Sequence, residues 1–252
     1  MLVSDAFNSI LMRGFIGAGL AIAIASQCTA TRADTPKPDV SPRVALIIAN
    51  GSQVRRDEDP VILNARSLAD SLRDAGFVVT VAENTTDKKM ELAFYDFFEA
   101  VPWDAMAIVY FAGRGGIVQG QILPFPINMS PLGLPPSNNL SDLMSALAAK
   151  NIRGALWLID AQFTQHFGKE ALRIRVPSKT IIAFASMLHG HTTDVGRFGS
   201  FLANGIRSGA TGIYELLAQT RMEVLKHSAG KQIPWEIYNA PPEIWAGAFR
   251  TR

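Results

Sequence analysis

Met106-Ala-Ile-Val-Tyr-Phe111, running on into Ala112-Gly-Arg-Gly-Gly116, is an unbroken apolar run of strand length that stops at glycines. A run with no polar alternation suits a strand covered on both faces, as in the interior of a parallel sheet. The same texture recurs on either side, and Val44–Ala49, Phe77–Val81, Ala155–Ile159 and Ile181–Ala185 read as further strands. Helical-period segments lie between them. Asn64–Ala75 places Ala65, Leu68, Ala69 and Leu72 on one stripe and stops at Gly76, a residue suited to ending a helix. Thr86 caps a second helix whose apolar side is Met90, Ala93, Phe94, Phe97 and Phe98. Ser141–Ala149, Ser200–Arg207 and Ile213–His227 read as the remaining helices. This alternation predicts an α/β domain in three layers, helices covering both faces of a mainly parallel sheet. Gly116–Leu123, with Gly-Gln at its centre, reads as a small hairpin, followed by a proline-rich loop to Pro136.

The chain has 252 residues, 48% hydrophobic and 18% charged, with a formal charge of +2. Arg13 precedes an apolar stretch from Phe15 to Ala25 with small residues after it. That pattern is a secretory signal over residues 1–33, cleaved after Ala30 or Ala33, and the stretch is too short for a membrane span. Residues 34–42, Asp-Thr-Pro-Lys-Pro-Asp-Val-Ser-Pro, read as a polar, proline-rich linker, and 43–252 as one domain. The expectation is export to a periplasmic or extracellular space. Ala25-Ser-Gln-Cys28 offers a lipoprotein alternative, with Gln27 a poor fit to the small residue required before the cysteine. The small net charge gives no ground for a nucleic-acid partner.

Tyr110-Phe-Ala-Gly-Arg-Gly-Gly116 and Leu158-Ile-Asp-Ala-Gln162 resemble two strand-end motifs of the caspase, metacaspase and orthocaspase family. The first is similar to an aromatic-rich strand entering Ala-Gly-His-Gly, and the second to an apolar run ending Asp-Ala-Cys. Three further segments match in order: Arg43-Val-Ala-Leu-Ile-Ile-Ala-Asn50, Asn64–Phe77 and Gln232-Ile-Pro-Trp-Glu236. The resemblance runs from about Arg43 to Phe249 and implies a caspase-like three-layer α/β/α fold. It implies a base at position 114 and a nucleophile at position 162. This sequence holds Arg114 and Gln162 there. A guanidinium stays protonated and accepts no proton, a carboxamide is not a nucleophile, and the reaction needs a thiolate. The chain has one cysteine, Cys28, inside the signal. The resemblance therefore implies a pseudo-peptidase with no catalytic residue retained, acting by binding a peptide or protein, an active homologue among the candidates.

Asp160 stands where members that cleave after basic residues carry a pocket carboxylate, and Asn64 where they carry a second. Two readings follow. Asp160 holds a Lys or Arg side chain of a peptide, weakly, or it pairs with Arg114 across the strand ends, the reading favoured by the cost of burying an unpaired carboxylate. Ser186 lies near the presumed groove beside Ile181–Ala185, where a peptide could add as a strand. Thr164, also near the cleft, lacks a positioned base for its hydroxyl, and His166 has no thiol to activate. Arg114 among its glycines reads alternatively as an anion site. His189-Gly-His191 with Asp194 has metal-ligand spacing, yet solvated loop histidines suit it better, and neither a metal nor a cofactor is expected. The other reading from a different class is an active endopeptidase with an unrecognised nucleophile.

Overall fold

The computed structural model describes residues 41–51, 59–129, 138–167, 174–186 and 194–250. The segments expected as signal and, for the most part, linker lie outside the described residues, as do His189 and His191. Seven strands form one sheet among them: β1 (Arg43–Ala49), β2 (Val78–Glu83), β3 (Met106–Val118), β4 (Gln121–Pro124), β5 (Gly154–Phe167), β6 (Thr180–Phe184) and β7 (Trp235–Asn239). Their order is β2-β1-β3-β5-β6-β7, with β4 paired to β3. The pairs β1 to β2, β1 to β3, β3 to β5 and β5 to β6 are parallel, while β4 and β7 run antiparallel to their neighbours.

Five helices cover the sheet: α1 (Pro60–Asp74), α2 (Asp87–Ala100), α3 (Leu140–Ala149), α4 (Arg197–Arg207) and α5 (Ile213–His227). One core is built from Ile62, Leu68 and Leu72 of α1, Phe198 and Leu202 of α4, and Ile213, Leu216 and Leu217 of α5, against Ile47, Ile108, Tyr110 and Leu158. The other packs Met90, Phe94 and Phe97 of α2 and Leu140, Met144 and Leu147 of α3 against Leu46, Val109, Phe111 and Trp157. Alternate residues of each central strand enter opposite cores, which is why those strands read as continuous apolar runs. The three-layer α/β architecture expected from the sequence is the one observed.

Several boundaries differ, for identifiable reasons. Helix α1 starts at Pro60, four residues before the expected Asn64, because Asp59 caps it by accepting from the Val61 amide at 2.9 Å and Pro60 occupies the first turn, where its missing N–H costs nothing. Strand β2 begins at Val78, since Phe77 turns inward to stack on Phe249 with ring centroids 6.0 Å apart. The hairpin turns at Gln119-Gly120, both with positive φ (51° and 78°), between the paired Val118 and Gln121. The expected Gly120-Gln121 centre is thus displaced by one residue. Both β3 and β5 run well past the expected Phe111 and Ile159, because the glycine-rich stretch pairs with β4 on one side and β5 on the other.

Strand β7 is absent from the strands that the sequence pattern predicts. Its Trp235 stacks on Phe184 at 4.6 Å and 7°, and Glu236, only 5% exposed, pairs with Arg221 of α5. Trp245 is fully buried in the first core, fastening the end of the domain.

Candidate functional site

Parallel strands end together, and the crevice beyond their carboxyl ends is where open α/β sheets bind ligands. In this chain the crevice is a cleft of about 440 Å³. Asn50 and Gly51 follow β1, Gly113 and Arg114 belong to β3, Asp59 and Val61 open α1, Phe125, Pro126 and Ile127 follow β4, and Val195 precedes α4. Asn50 fastens this ring. Its side-chain oxygen accepts from the Thr85 amide at 2.8 Å and hydroxyl at 3.0 Å, its amide nitrogen donates to the Phe125 carbonyl at 3.0 Å, and its backbone N–H donates to the Ala112 carbonyl at 2.8 Å. The far wall is fixed as well, by the Phe125 amide on the Arg114 carbonyl at 2.9 Å and the Ile127 amide on the Thr85 carbonyl at 3.0 Å.

Arg114 and Gln162 are register partners on β3 and β5, and both side chains are exposed. The backbone of Arg114 is held while its guanidinium makes no ion pair or side-chain hydrogen bond among the described residues.

Asp160 does not pair with Arg114. It lies two residues earlier on β5, fully buried, where Oδ2 accepts from the Tyr110 hydroxyl at 3.0 Å and from the Gly199 amide of α4 at 3.3 Å. Oδ1 has no hydrogen-bond partner among the described residues. Burial raises its pKa to about 6, with the donors from Tyr110 and from the Gly196 and Gly199 backbone opposing that rise. The Tyr110 hydroxyl is itself pushed well above its usual pKa, by burial first and by the neighbouring carboxylate second. Burial under α4 thus takes Asp160 out of the cleft wall, the reason being the packing of Tyr110 and Gly199 directly over it.

Asn64 sits in α1 half-buried and is not part of the cleft lining among the described residues. Among the described residues the acidic one lining the cleft is Asp59, 5% exposed, its carboxylate accepting from the Val61 amide of α1. Sequence reading missed both Asp59 and Asn50. The Asp59-Pro60 pair is a recognisable helix start, whereas nothing in the sequence marks Asn50 as the fastening side chain.

Ser186 is 1% exposed just beyond β6, and its carbonyl accepts from Trp235 Nε1 at 3.1 Å. The groove expected beside Ile181–Ala185 is occupied, because β6 pairs with β5 on one edge and with β7 on the other from Thr180 to Phe184. Strand addition there is blocked by the chain itself. Asp194 bonds Arg197 at 3.0 Å and His227 Nε2 at 3.4 Å. His166 lies on β5 opposite Ile117, with Thr164 two residues before it on the same strand. No group of three or more metal-ligating side chains occurs among the described residues.

A family model described as the caspase domain matches residues 42–242 of this chain. The chain belongs to the caspase-domain family. The match spans every strand of the caspase-like sheet together with all the helices that cover it. No curated protein matches the chain at a significant level. Among the described residues, no helix of this caspase-domain protein is long and apolar enough to cross a membrane.

Proposed function

We propose that this caspase-domain protein is a catalytically inactive pseudo-peptidase, exported from the cell, that binds a peptide or protein at the strand-end cleft. The observation that carries the reading is the side-by-side placement of Arg114 and Gln162 on β3 and β5. The family resemblance puts base and nucleophile at these positions, and neither side chain can serve. The single cysteine of the sequence is Cys28, far from either strand in the chain. Export is supported by the signal-like pattern ending near Ala33. The ligand site moves from the groove beside β6 to the cleft around Arg114, since β7 fills the former.

The test is hydrolysis of a pooled fluorogenic peptide library by the natural protein and by a Gln162→Cys, Arg114→His double variant. Silence from the natural protein with turnover by the variant supports a lost reaction in a preserved cleft. Turnover by the natural protein overturns the reading in favour of an endopeptidase with another nucleophile.

A further inference from the structure

We infer that the strand-end cleft is a carboxylate-recognition site, in which Arg114 holds a carboxylate that lies next to an apolar side chain of the ligand. The inference rests on the reading of this cleft as a ligand site. Three observations carry it.

The first is the state of the guanidinium. Arg114 is exposed at the cleft, with no counter-ion among the described residues. A guanidinium offers a planar fork of donors that matches a carboxylate in a two-point contact, and a charge-assisted pair of this kind is about twice as strong as a neutral hydrogen bond.

The second is its mounting. The Arg114 carbonyl accepts the Phe125 amide, and its strand is paired to β5 at Gln162. The donor fork therefore springs from a fixed base, and little backbone order is lost when a ligand engages it. Gln162, exposed at the register position, places a carboxamide on the strand alongside.

The third is the composition of the walls. Val61, Phe125, Ile127 and Val195 line the same cleft as Arg114 with apolar surface. The cleft's own carboxylate, Asp59, is 5% exposed and caps α1 through the Val61 amide, so its charge is engaged with the positive end of that helix. A cation set among apolar walls selects a ligand with an apolar group beside an anion, and selects against a cationic one. This is the opposite charge preference to the one expected when Asp160 is read as a pocket carboxylate.

The chemistry is shared by a peptide's free C-terminus and by an acidic side chain within a chain. Calorimetric titration separates them, using the full natural chain and four probes: the acetylated tripeptide Ala-Val-Phe as free acid, its C-terminal amide, the amide extended by an internal Glu, and the amide extended by an internal Lys. The free acid is expected to bind about tenfold more tightly than the plain amide, with the Lys probe weakest and the preference shrinking as salt rises. In Arg114→Gln that preference falls below about twofold, and Arg114→Lys keeps part of it. A Glu probe equal to the free acid names a side-chain carboxylate as the group read, and a Glu probe equal to the plain amide names the chain terminus. Because Arg114 is exposed, an unchanged melting temperature verifies that each variant is folded. Equal binding of all four probes, or a preference that survives Arg114→Gln, overturns the carboxylate assignment while leaving the cleft a peptide site. Binding of none of the four overturns both.

Discussion

The Tyr110 hydroxyl donates to Asp160 at 3.0 Å in a fully buried pair that joins β3 to β5, and the Gly199 amide donates to the same oxygen from α4 at 3.3 Å. One carboxylate thereby ties two central strands to the helix covering them. Its second oxygen lacks a partner among the described residues, so the charged form carries a desolvation cost that its donors only partly offset.

That cost sets a pH dependence. The folded-state pKa of about 6 lies above the reference value of 3.8, so the folded chain retains a proton that the unfolded chain has released. The contribution of Asp160 to stability is fully present below about pH 4 and is lost as pH rises through about 6. Asp160→Asn removes this titration. The stability of the variant relative to the natural protein should rise between pH 4 and pH 7, by at most about 3 kcal/mol, as read from urea unfolding at both pH values. A difference that is flat with pH would mean that folding does not raise the pKa of Asp160.

Gly199 admits no side chain. A Cβ there would stand 2.4 Å from the Tyr110 hydroxyl oxygen and 2.9 Å from the ring carbon bearing it. Gly199→Ala should cost about 1–3 kcal/mol as α4 is pushed off the sheet. Adding Tyr110→Phe removes the nearer obstacle, so the double variant should lose less than the two single changes added together. Additive losses would show that the helix does not sit directly on Tyr110.

Asn50→Ala removes the bonds to Thr85 and Phe125 together. The residue is 7% exposed, and its partners are left unpaired, for a cost of about 2–3 kcal/mol. Peptide affinity should fall as well, since the Phe125 wall of the cleft loses its fastening. Thermal melting and the free-acid tripeptide titration read the two effects separately.

Arg221→Ala strands Glu236, whose side chain is only 5% exposed while Arg221 itself is 37% exposed. Because one partner is partly solvated, the expected loss is about 2 kcal/mol, less than for a fully buried pair. Arg221→Ala with Glu236→Gln should recover part of it. Chemical denaturation of the two variants provides the check.

How legible the molecule is from sequence depends on how local each determinant is. Strands β1, β3 and β5 announce themselves because burial on both faces demands continuous apolar runs, and Gly76 marks the end of α1 through its positive φ of 84°. Strand β7 escapes because Trp235-Glu-Ile-Tyr-Asn239 is an edge strand of mixed polarity, held by a long-range stack on Phe184 and an ion pair to α5. At the site, the adjacency of positions 114 and 162 follows from the resemblance, which assigns base and nucleophile there, while their exact register rests on β5 starting at Gly154, one residue before the expected Ala155. The fate of Asp160 was not legible. Whether a carboxylate at a strand end faces a cleft or lies beneath a helix depends on α4, whose close approach is permitted by a single glycine thirty-nine positions away. The pairing of Arg114 with Asp160 was therefore a reasonable electrostatic expectation that packing overruled.

The antiparallel strand at Trp235–Asn239 fills the outer edge of β6 with residues that follow α5, some fifty positions beyond β6 itself. No amino-terminal fragment stopping short of Asn239 can finish the sheet. Such a fragment leaves Phe184 uncovered beside a row of open backbone donors and acceptors, a template for pairing with other chains. During synthesis the sheet is completed only once Trp235–Asn239 has been made, and a truncation before that strand should yield aggregates in place of a smaller folded protein.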